Sequence, residues 1–198
     1  MNTFENYKES PVAAKFCRDK KIRRKKMRWH VLYELIVENN YKKCLEIGTA
    51  EGATAHSILS NVRDVTWTSI DPYASYKEYT DGHSRQATLT SLRKQAYKNL
   101  SVFGDRWSHI EKVSSKAAHE VADDYDLIFI DGNHAPEFVS EDIKLFYPKV
   151  RPGGALSGHD YGSGRHKHVK KVVDGFARRA QLNVFKGDNM VWFVIKPG

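Results

Sequence analysis

The stretch YDLIFIDGNHAPEF, Tyr125–Phe138, joins a strand pattern to a sudden run of polar residues. Its centre, LIFI, is a continuous run of β-forming apolar residues, which is typical of a strand buried on both faces of a parallel sheet. Asp131 ends this run, and glycine, asparagine and His134 follow at once. A buried strand that ends on an acid and a histidine predicts that functional groups lie at the carboxyl edge of a sheet.

The rest of the chain alternates short apolar runs with amphipathic segments. Strands are predicted at KCLEIG, DVTWTSID, WSHIEKV, YDLIFID and GGALSGHD, with helices between them and a closing hairpin in LNVFKGDNMVWFVIKP. This alternation requires right-handed crossovers and gives a mostly parallel sheet with helices on both faces. The sequence therefore predicts an α/β fold.

A basic segment precedes the alternation. Arg18–Arg28, RDKKIRRKKMR, holds eight basic residues and one acid, and it accounts for much of the net charge of +8. Such a patch can bind nucleic acid, an acidic partner or an anionic substrate, or it can be a solvated helix face. The apolar spacing from Met27 to Asn40 predicts an amphipathic helix. We expect an N-terminal unit, residues 1–40, which could act as a lid, and a main domain, residues 41–198.

Composition restricts the class of protein. Of the 198 residues, 40% are hydrophobic, which is enough for the core of one domain. No apolar run approaches the ~20 residues that span a bilayer, and the N-terminus has no apolar signal-peptide core. Cys17 and Cys44 form neither a disulfide framework nor a metal-binding pattern. We therefore expect a cytoplasmic protein without a membrane partner, which could form a homo-oligomer.

Glycines and acids follow the first two predicted strands. LEIGTAEGATA, Leu45–Ala55, places Gly48 and Gly52 in a turn before a helix, where free backbone amides can meet a ligand. The pattern is neither G-x-G-x-x-G nor a phosphate-binding loop. Glu46 lies within an apolar strand, so its charge requires a partner, either a cation of a ligand or an amide. Asp71 can accept hydrogen bonds from both ribose hydroxyls of a nucleoside, or it can cap a helix.

The fourth and fifth predicted strands end in acids as well. Asp131 and Asp160 would meet if these strands are neighbours, and two close carboxylates favour a hard cation such as Mg²⁺. His159 or Asn133 could add a further ligand. His134 could take a proton from a substrate hydroxyl, or it could have a surface or capping role.

Together these motifs resemble those of class I S-adenosylmethionine-dependent methyltransferases, from Tyr41 to the C-terminus. LEIGTAEGATA is similar to the first motif of that class, SIDPY to its second acidic strand end, YDLIFIDGNH to its fourth strand, and FYPKVRPGGALSGHDY to the following helix, turn and fifth strand. The resemblance implies a Rossmann-like three-layer α/β/α sandwich with a seven-stranded, mostly parallel sheet whose last strand is antiparallel. Within the class, the D-G-x-H turn resembles that of metal-dependent O-methyltransferases of macrolide sugars, whereas catechol enzymes carry lysine in place of His134.

The resemblance also implies a role for each residue. Around S-adenosylmethionine the implied contacts are Glu46, Gly48, Thr49 and Gly52 at the methionine part, Asp71 at the ribose, Ser115 near the adenine, and Asp131. The implied ligands of a divalent metal, expected to be Mg²⁺, are Asp131, Asp160 and His159, with His134 as the catalytic base. Catechol enzymes have Asp-Asn where this chain has His159-Asp160, so which of the two binds metal is left open. The segment Ala74–Arg85, including His83, departs from the family pattern and could reach over the site.

Three functions are consistent with these observations. The first is methyl transfer from S-adenosylmethionine to a hydroxyl of a small molecule, a sugar or a phenol, with help from a divalent metal. The second keeps the cofactor and makes RNA the acceptor, because of the basic run, although the Asn/Asp-Pro-Pro-aromatic motif of base amino-group methylation is missing. The third is a nucleotide-binding Rossmann-type protein without methyltransferase activity.

Overall fold

The computed structural model describes residues 27–79 and 84–198. Most of the basic run, Cys17 and the rest of residues 1–26 lie outside the described residues, and so does His83 within residues 80–83. The division of the chain at residue 40 stays a prediction. No helix in the described ranges is both long enough and apolar enough to cross a membrane.

Strands and helices alternate through the described residues as the sequence predicts. The helices are α1 (Arg28–Glu38), α2 (Ala53–Asn61), α3 (Gln86–Leu100), α4 (Ser114–Ala117), α5 (Pro136–Phe146) and α6 (Lys167–Arg179). The strands are β1 (Lys43–Ile47), β2 (Thr66–Ile70), β3 (Trp107–Ile110), β4 (Tyr125–Ile130), β5 (Val150–Gly158), β6 (Phe185–Lys186) and β7 (Trp192–Ile195). Short 3-10 turns at Ser101–Arg106 and Tyr147–Lys149 lead into β3 and β5.

The seven strands form one sheet in the order β3-β2-β1-β4-β5-β7-β6. Strands β1 to β5 pair in parallel, β7 is antiparallel to β5, and β6 is antiparallel to β7. This arrangement confirms the predicted Rossmann-like, mostly parallel sheet with an antiparallel last strand.

Helices cover both faces of the sheet, and β4 is buried from both sides. Leu127 and Phe129 pack into a core with residues of α1 and α2, while Ile128 and Ile130 pack into a second core with residues of α5 and α6. The uninterrupted LIFI run is explained by this double burial, because each successive side chain enters a different core. Helix α1 belongs to the first core, where Leu32 is fully buried.

The functional edge is set by the reversal of strand order between β1 and β4. Their carboxyl ends are joined directly, since the Asp131 backbone N–H donates to the Ile47 carbonyl at 2.8 Å. In open α/β sheets the crevice at such a reversal is where ligands bind. The turns after β1 and β4 therefore form adjacent walls of one crevice.

Asp126 anchors the opposite edge of the sheet. Its Oδ2 accepts hydrogen bonds from the backbone N–H groups of Lys42 and Lys43, each at 2.7 Å, and its Oδ1 accepts one from Arg151 Nε at 2.5 Å. Burial opposes ionisation of this carboxyl group, but the hydrogen bonds outweigh it and lower its pKa. Asp126 therefore links the starts of β1, β4 and β5 away from the crevice.

We expect Asp126→Ala to lower the free energy of unfolding at pH 7 by about 2–3 kcal/mol, because partly buried donors lose their acceptor. Its pKa in the folded chain lies below that of the unfolded chain, so this contribution is present at neutral pH and is lost as the pH falls through the folded value. Urea denaturation at pH 7 and pH 3 measures both effects. Asp64→Ala, which removes an exposed partner of Lys42, is the control and should change the free energy of unfolding little, because solvent screens exposed ion pairs. Equal losses in the two variants would contradict the assignment.

Candidate active site at the carboxyl edge of the sheet

A cavity of about 760 Å³ lies at the carboxyl edge of the sheet. Eight of the predicted site residues line it: Gly48, Thr49, Asp71, Ser115, Asp131, His134, His159 and Asp160. Glu46 and Gly52 do not line it. The turn after β1 and the end of β2 form one end of the cavity, which we call the donor end. The residues after β4 and β5 form the other, which we call the acceptor end.

Asp131 and Asp160 converge at the acceptor end, as the sequence predicts for neighbouring strands. His134 Nε2 lies 2.8 Å from Asp160 Oδ2 and 3.7 Å from Asp131 Oδ1. His159 Nδ1 lies 3.0 Å from Asp160 Oδ2 and 3.6 Å from Asp131 Oδ1. Asp131, His159 and Asp160 can each offer one ligand atom within 4.8 Å of the others. Two carboxylates and two imidazoles thus share one small volume.

Asp160 has an unusual backbone conformation. Asp160 has a φ of +61°, a left-handed conformation that non-glycine residues rarely adopt and that often marks functional sites. Burial opposes its ionisation, but hydrogen bonds with His134 and His159 outweigh burial and hold the pKa of Asp160 below its usual range. Asp160 is therefore ionised throughout the physiological range of pH.

Two residues of the cluster are missing from the predictions made on the sequence. Arg28, the first residue of α1, places its guanidinium against Asp131 Oδ2. His166, just before α6, stacks its ring on His134 with the centroids 4.1 Å apart. His166 follows the fifth predicted strand in sequence, so the sequence did contain a signal that places it near the carboxyl edge of the sheet. Arg28 lies 103 residues from Asp131 in sequence, and no local pattern connects them.

The glycine turn after β1 is required by packing. Gly48 has a φ of +89°, and a Cβ atom there would lie 2.1 Å from the Asp131 carbonyl oxygen. Gly52 has a φ of +80°, and a Cβ atom there would meet the Leu100 side chain. Gly48 lines the cavity and Gly52 does not, and the approach of a ligand to these glycines stays a prediction. Gly48 lets the β1 and β4 turns touch.

Asp71 holds the same turn by its carboxylate. Its Oδ2 accepts hydrogen bonds from the backbone N–H groups of Thr49 and Ala50 at 3.0 and 3.1 Å, and its Oδ1 accepts one from Tyr73 at 2.9 Å. Burial raises its pKa, and these three amides partly offset the rise. Asp71 lines the cavity, and a carboxylate oxygen can accept more than one hydrogen bond. It can therefore position the turn and still meet a ligand.

Glu46 is buried in β1 and is satisfied by the protein itself. Ser69 Oγ donates to Glu46 Oε1 at 2.7 Å, and Trp107 Nε1 donates to Ser69 Oγ at 3.0 Å. Burial raises the pKa of Glu46 to about 8. Within the chain the partner of Glu46 is a hydroxyl group, and its expected contact with a ligand stays a prediction. The alternation of β1 turns Glu46 towards the core of α1 and α2, away from the cavity wall.

The wall near Ser115 also contains a buried acid. Ser115 lines the cavity at the start of α4, next to Ser114, which hydrogen-bonds Asp142 of α5. Burial raises the pKa of Asp142 to about 7. Val113 occupies the N-cap position of α4, and no side chain caps this helix. Ser114 joins α4 to α5 through its hydrogen bond with Asp142.

Asn133 connects the turn after β4 to the segment that follows β2. Its Oδ1 accepts a hydrogen bond from the Ala135 backbone N–H at 3.0 Å, and its Nδ2 donates to Tyr76 Oη at 3.2 Å and to the Glu78 carbonyl at 3.3 Å. These contacts use both ends of the amide, and a role for Asn133 as a metal ligand stays a prediction. Tyr76 and Glu78 line the cavity, which agrees with the expectation that this segment reaches over the site.

Comparisons with known proteins agree with this geometry. The chain belongs to a methyltransferase family, since the family model described as a methyltransferase domain matches residues 45–161, more than half of the chain. An uncharacterised protein of Acanthamoeba polyphaga mimivirus is 28% identical over 146 residues, which are 68% of this chain and 59% of the viral protein. The match thus spans less than two thirds of that relative's length.

Solved structures show the same fold at low sequence identity. A Staphylococcus aureus protein provisionally assigned as a caffeoyl-CoA O-methyltransferase is 21% identical, with a TM-score of 0.64, over 98% of this chain and 95% of its own. The Podospora anserina methyltransferase PaMTH1, solved with S-adenosylhomocysteine bound (SAH), is 15% identical, also with a TM-score of 0.64, over 94% of this chain and 87% of its own.

The raised pKa of Glu46 predicts a pH-dependent stability. Glu46 is protonated in the folded chain up to about pH 8 but ionises near 4.5 when unfolded, so stability falls as the pH rises through this window. We expect Glu46→Gln, which mimics the protonated acid, to lessen the fall between pH 5 and pH 8 by a few kcal/mol. Urea denaturation at both pH values checks this. An identical fall in the variant would show that Glu46 does not titrate in this way.

Asn133 can be tested by separating its two functions. Asn133→Asp keeps the acceptor for Ala135 and loses the donor to the Tyr76–Glu78 segment, whereas Asn133→Ala loses both. Since one hydrogen bond contributes about 1 kcal/mol, we expect Asn133→Asp to speed amide exchange at Ser75 and Tyr79 about fivefold and to leave Phe138 unchanged. Asn133→Ala should accelerate exchange at all three positions. Hydrogen exchange that is unaltered in both variants would remove the proposed connection.

Proposed function

We propose that this chain transfers a methyl group from S-adenosylmethionine to a hydroxyl group of a small molecule, with a divalent metal at the acceptor end. Family membership supports methyl transfer and counts against the third hypothesis, a nucleotide-binding protein without that activity. One observation carries the rest of the proposal: Asp131, Asp160, His159 and His134 meet at one end of a cavity whose other end is the glycine turn. The PaMTH1 structure with bound SAH supports the choice of cofactor.

The donor end has the features that a sulfonium cofactor requires. S-adenosylmethionine would supply the methyl group and carries positive charge on its sulfonium and amino groups. Acids dominate the cavity wall, which would attract such a ligand: Glu51, Asp71, Glu78, Asp131, Glu141, Asp142 and Asp160. Gly48 and Thr49 would line its methionine part, Asp71 would bind the ribose, and Ser115 would lie near the adenine.

The acceptor cluster fits a divalent ion. The carboxylates of Asp131 and Asp160 both lie close to the imidazole of His159. Asp131 is also in contact with a cation, the guanidinium of Arg28. Asp131, Asp160 and His159 would hold the metal, and oxygen ligands favour Mg²⁺ or Mn²⁺. The ion would supply a positive charge that favours the ionised form of an acceptor hydroxyl.

His134 is the proposed base. His134 Nε2 lies 2.8 Å from Asp160 Oδ2. If Asp160 held a metal, its oxygen would turn towards the ion, and His134 Nε2 would face the acceptor hydroxyl instead. His166 stacks on the ring and restricts its orientation. His134 would accept the proton of the acceptor hydroxyl, while S-adenosylmethionine would supply the methyl group to that oxygen and leave as a neutral thioether. The chain contributes orientation and exclusion of water.

RNA as the acceptor remains the second proposal. It rests on the basic run, of which only Met27 and Arg28 are described, and it does not account for the paired carboxylates. A cytoplasmic location and a homo-oligomer also stay predictions.

The metal and the base give separable phenotypes. We expect Asp131→Asn to weaken Mn²⁺ binding at least about tenfold, because one charged ligand is lost. We expect His134→Ala to lower kcat about 100-fold with 3,4-dihydroxybenzoate as the acceptor and to leave SAH affinity within about twofold, because a general base acts in the chemical step. Calorimetry and SAH release measure these effects, with His119→Ala, an exposed histidine outside the cavity, as the control.

Three outcomes would contradict the proposal. Failure to bind SAH would remove the cofactor, and undiminished turnover in excess chelator would remove the metal. A His134→Ala variant that loses affinity for SAH but keeps its kcat would show that His134 is not the base.

A further inference from the structure

Permanent positive charge is scarce in the wall of the cavity. Among the described residues that line it, only Arg28 and Arg165 carry such a charge, and no lysine does. Seven acids line the same wall. Few of the lysines and arginines in the described part of the chain thus line this cavity. The two arginines are therefore exceptions that require an explanation.

Both arginines belong to the acceptor end. Arg28 touches Asp131, one of the proposed metal ligands. Arg165 immediately precedes His166, whose ring stacks on His134, the proposed base. The described residues of the donor end, from Gly48 to Ala53 and at Asp71 and Ser115, contribute no cation. Positive charge is thus confined to the part of the cavity where an acceptor would bind.

Both side chains are partly exposed to solvent. Arg28 is 40% exposed whereas Asp131 is 8% exposed, so the guanidinium covers the carboxylate from the solvent side. The backbone of Arg28 is fixed, because Val31 and Leu32 of the same helix are buried. A divalent ion on Asp131 would repel the guanidinium, which would stay close to the cavity through its helix. Arg165 is exposed, and its backbone N–H donates a hydrogen bond to Ser163 Oγ at 3.3 Å.

We infer that the methyl acceptor carries an oxyanion, a carboxylate or a phosphate, which Arg28 and Arg165 bind beside the hydroxyl to be methylated. This inference rests on the proposed function, because it assigns the substrate class of the same site. A planar guanidinium offers paired N–H donors that match the two oxygens of such a group.

The basic run would serve the same substrate class. Arg28 is the last of its eight basic residues, so seven others precede it in sequence. A net charge of one sign on a protein raises the rate at which oppositely charged ligands arrive, whatever the site they bind. An anionic small acceptor accounts for this run without RNA as the substrate.

A matched pair of probes tests the inference: 3,4-dihydroxybenzoate and 3,4-dihydroxybenzamide, which differ in charge at one group. On the full chain with Mn²⁺ and SAH, we expect the benzoate to bind at least about tenfold more tightly by calorimetry, the ratio expected of a charge-assisted pair. Arg28→Gln and Arg165→Gln should each bring this ratio most of the way to one. Lys167→Gln, which removes a nearby charge outside the cavity, should leave the ratio unchanged.

Competition distinguishes the two oxyanions. Displacement of the benzoate by inorganic phosphate at lower concentration than by acetate would assign a phosphorylated acceptor, and the reverse order a carboxylate. Equal binding of benzoate and benzamide, or a ratio that survives in both arginine variants, would overturn the inference.

The measurement also separates this inference from the proposed function. The benzoate preference can be measured with Mn²⁺ alone, so absence of SAH binding or of methyl transfer with the preference intact would count against the proposed function only. Methyl transfer to both probes with no preference would count against the oxyanion only.

Discussion

The close approach of the β1 and β4 turns is the constraint on which the site depends. The Asp131 backbone N–H is bonded to Ile47, and the Asp131 carbonyl occupies the space where Gly48 would carry a side chain. Any larger residue at Gly48 would push the turns apart and move Asp131 relative to the glycine turn. The donor and acceptor ends of the cavity are therefore held in register by a backbone contact.

The charges of the site are arranged by burial as much as by sequence. Glu46 and Asp142 are buried acids whose pKa values rise to about 8 and about 7, so near neutral pH they are largely or partly protonated and join neighbouring elements through Ser69 and Ser114. Asp160 is the opposite case, because two histidines keep it ionised. The local environment thus shifts the pKa values of two aspartates, Asp142 and Asp160, in opposite directions.

The acceptor end combines parts from distant regions of the chain. Arg28 comes from the first helix, Tyr76 and Glu78 from the segment after β2, His134 from the turn after β4, and His166 from the loop before α6. Asn133 links two of these regions through its amide. Substrate choice in this fold can therefore change through these segments while the sheet stays constant.

The sequence by itself determined the sheet, its edge and most of the predicted residues that line the cavity. Apolar runs identify buried strands because burial on both faces excludes polar residues, and parallel strands bring their carboxyl ends together, so Asp71, Asp131 and Asp160 could be placed on one edge. The direction of single side chains was decided by the tertiary structure. Glu46 turns into the core because of the register of β1, Gly52 faces Leu100, and Arg28 reaches Asp131 across 103 residues. Such contacts depend on how helices pack on the sheet, and packing between distant segments leaves no periodic signal in the sequence.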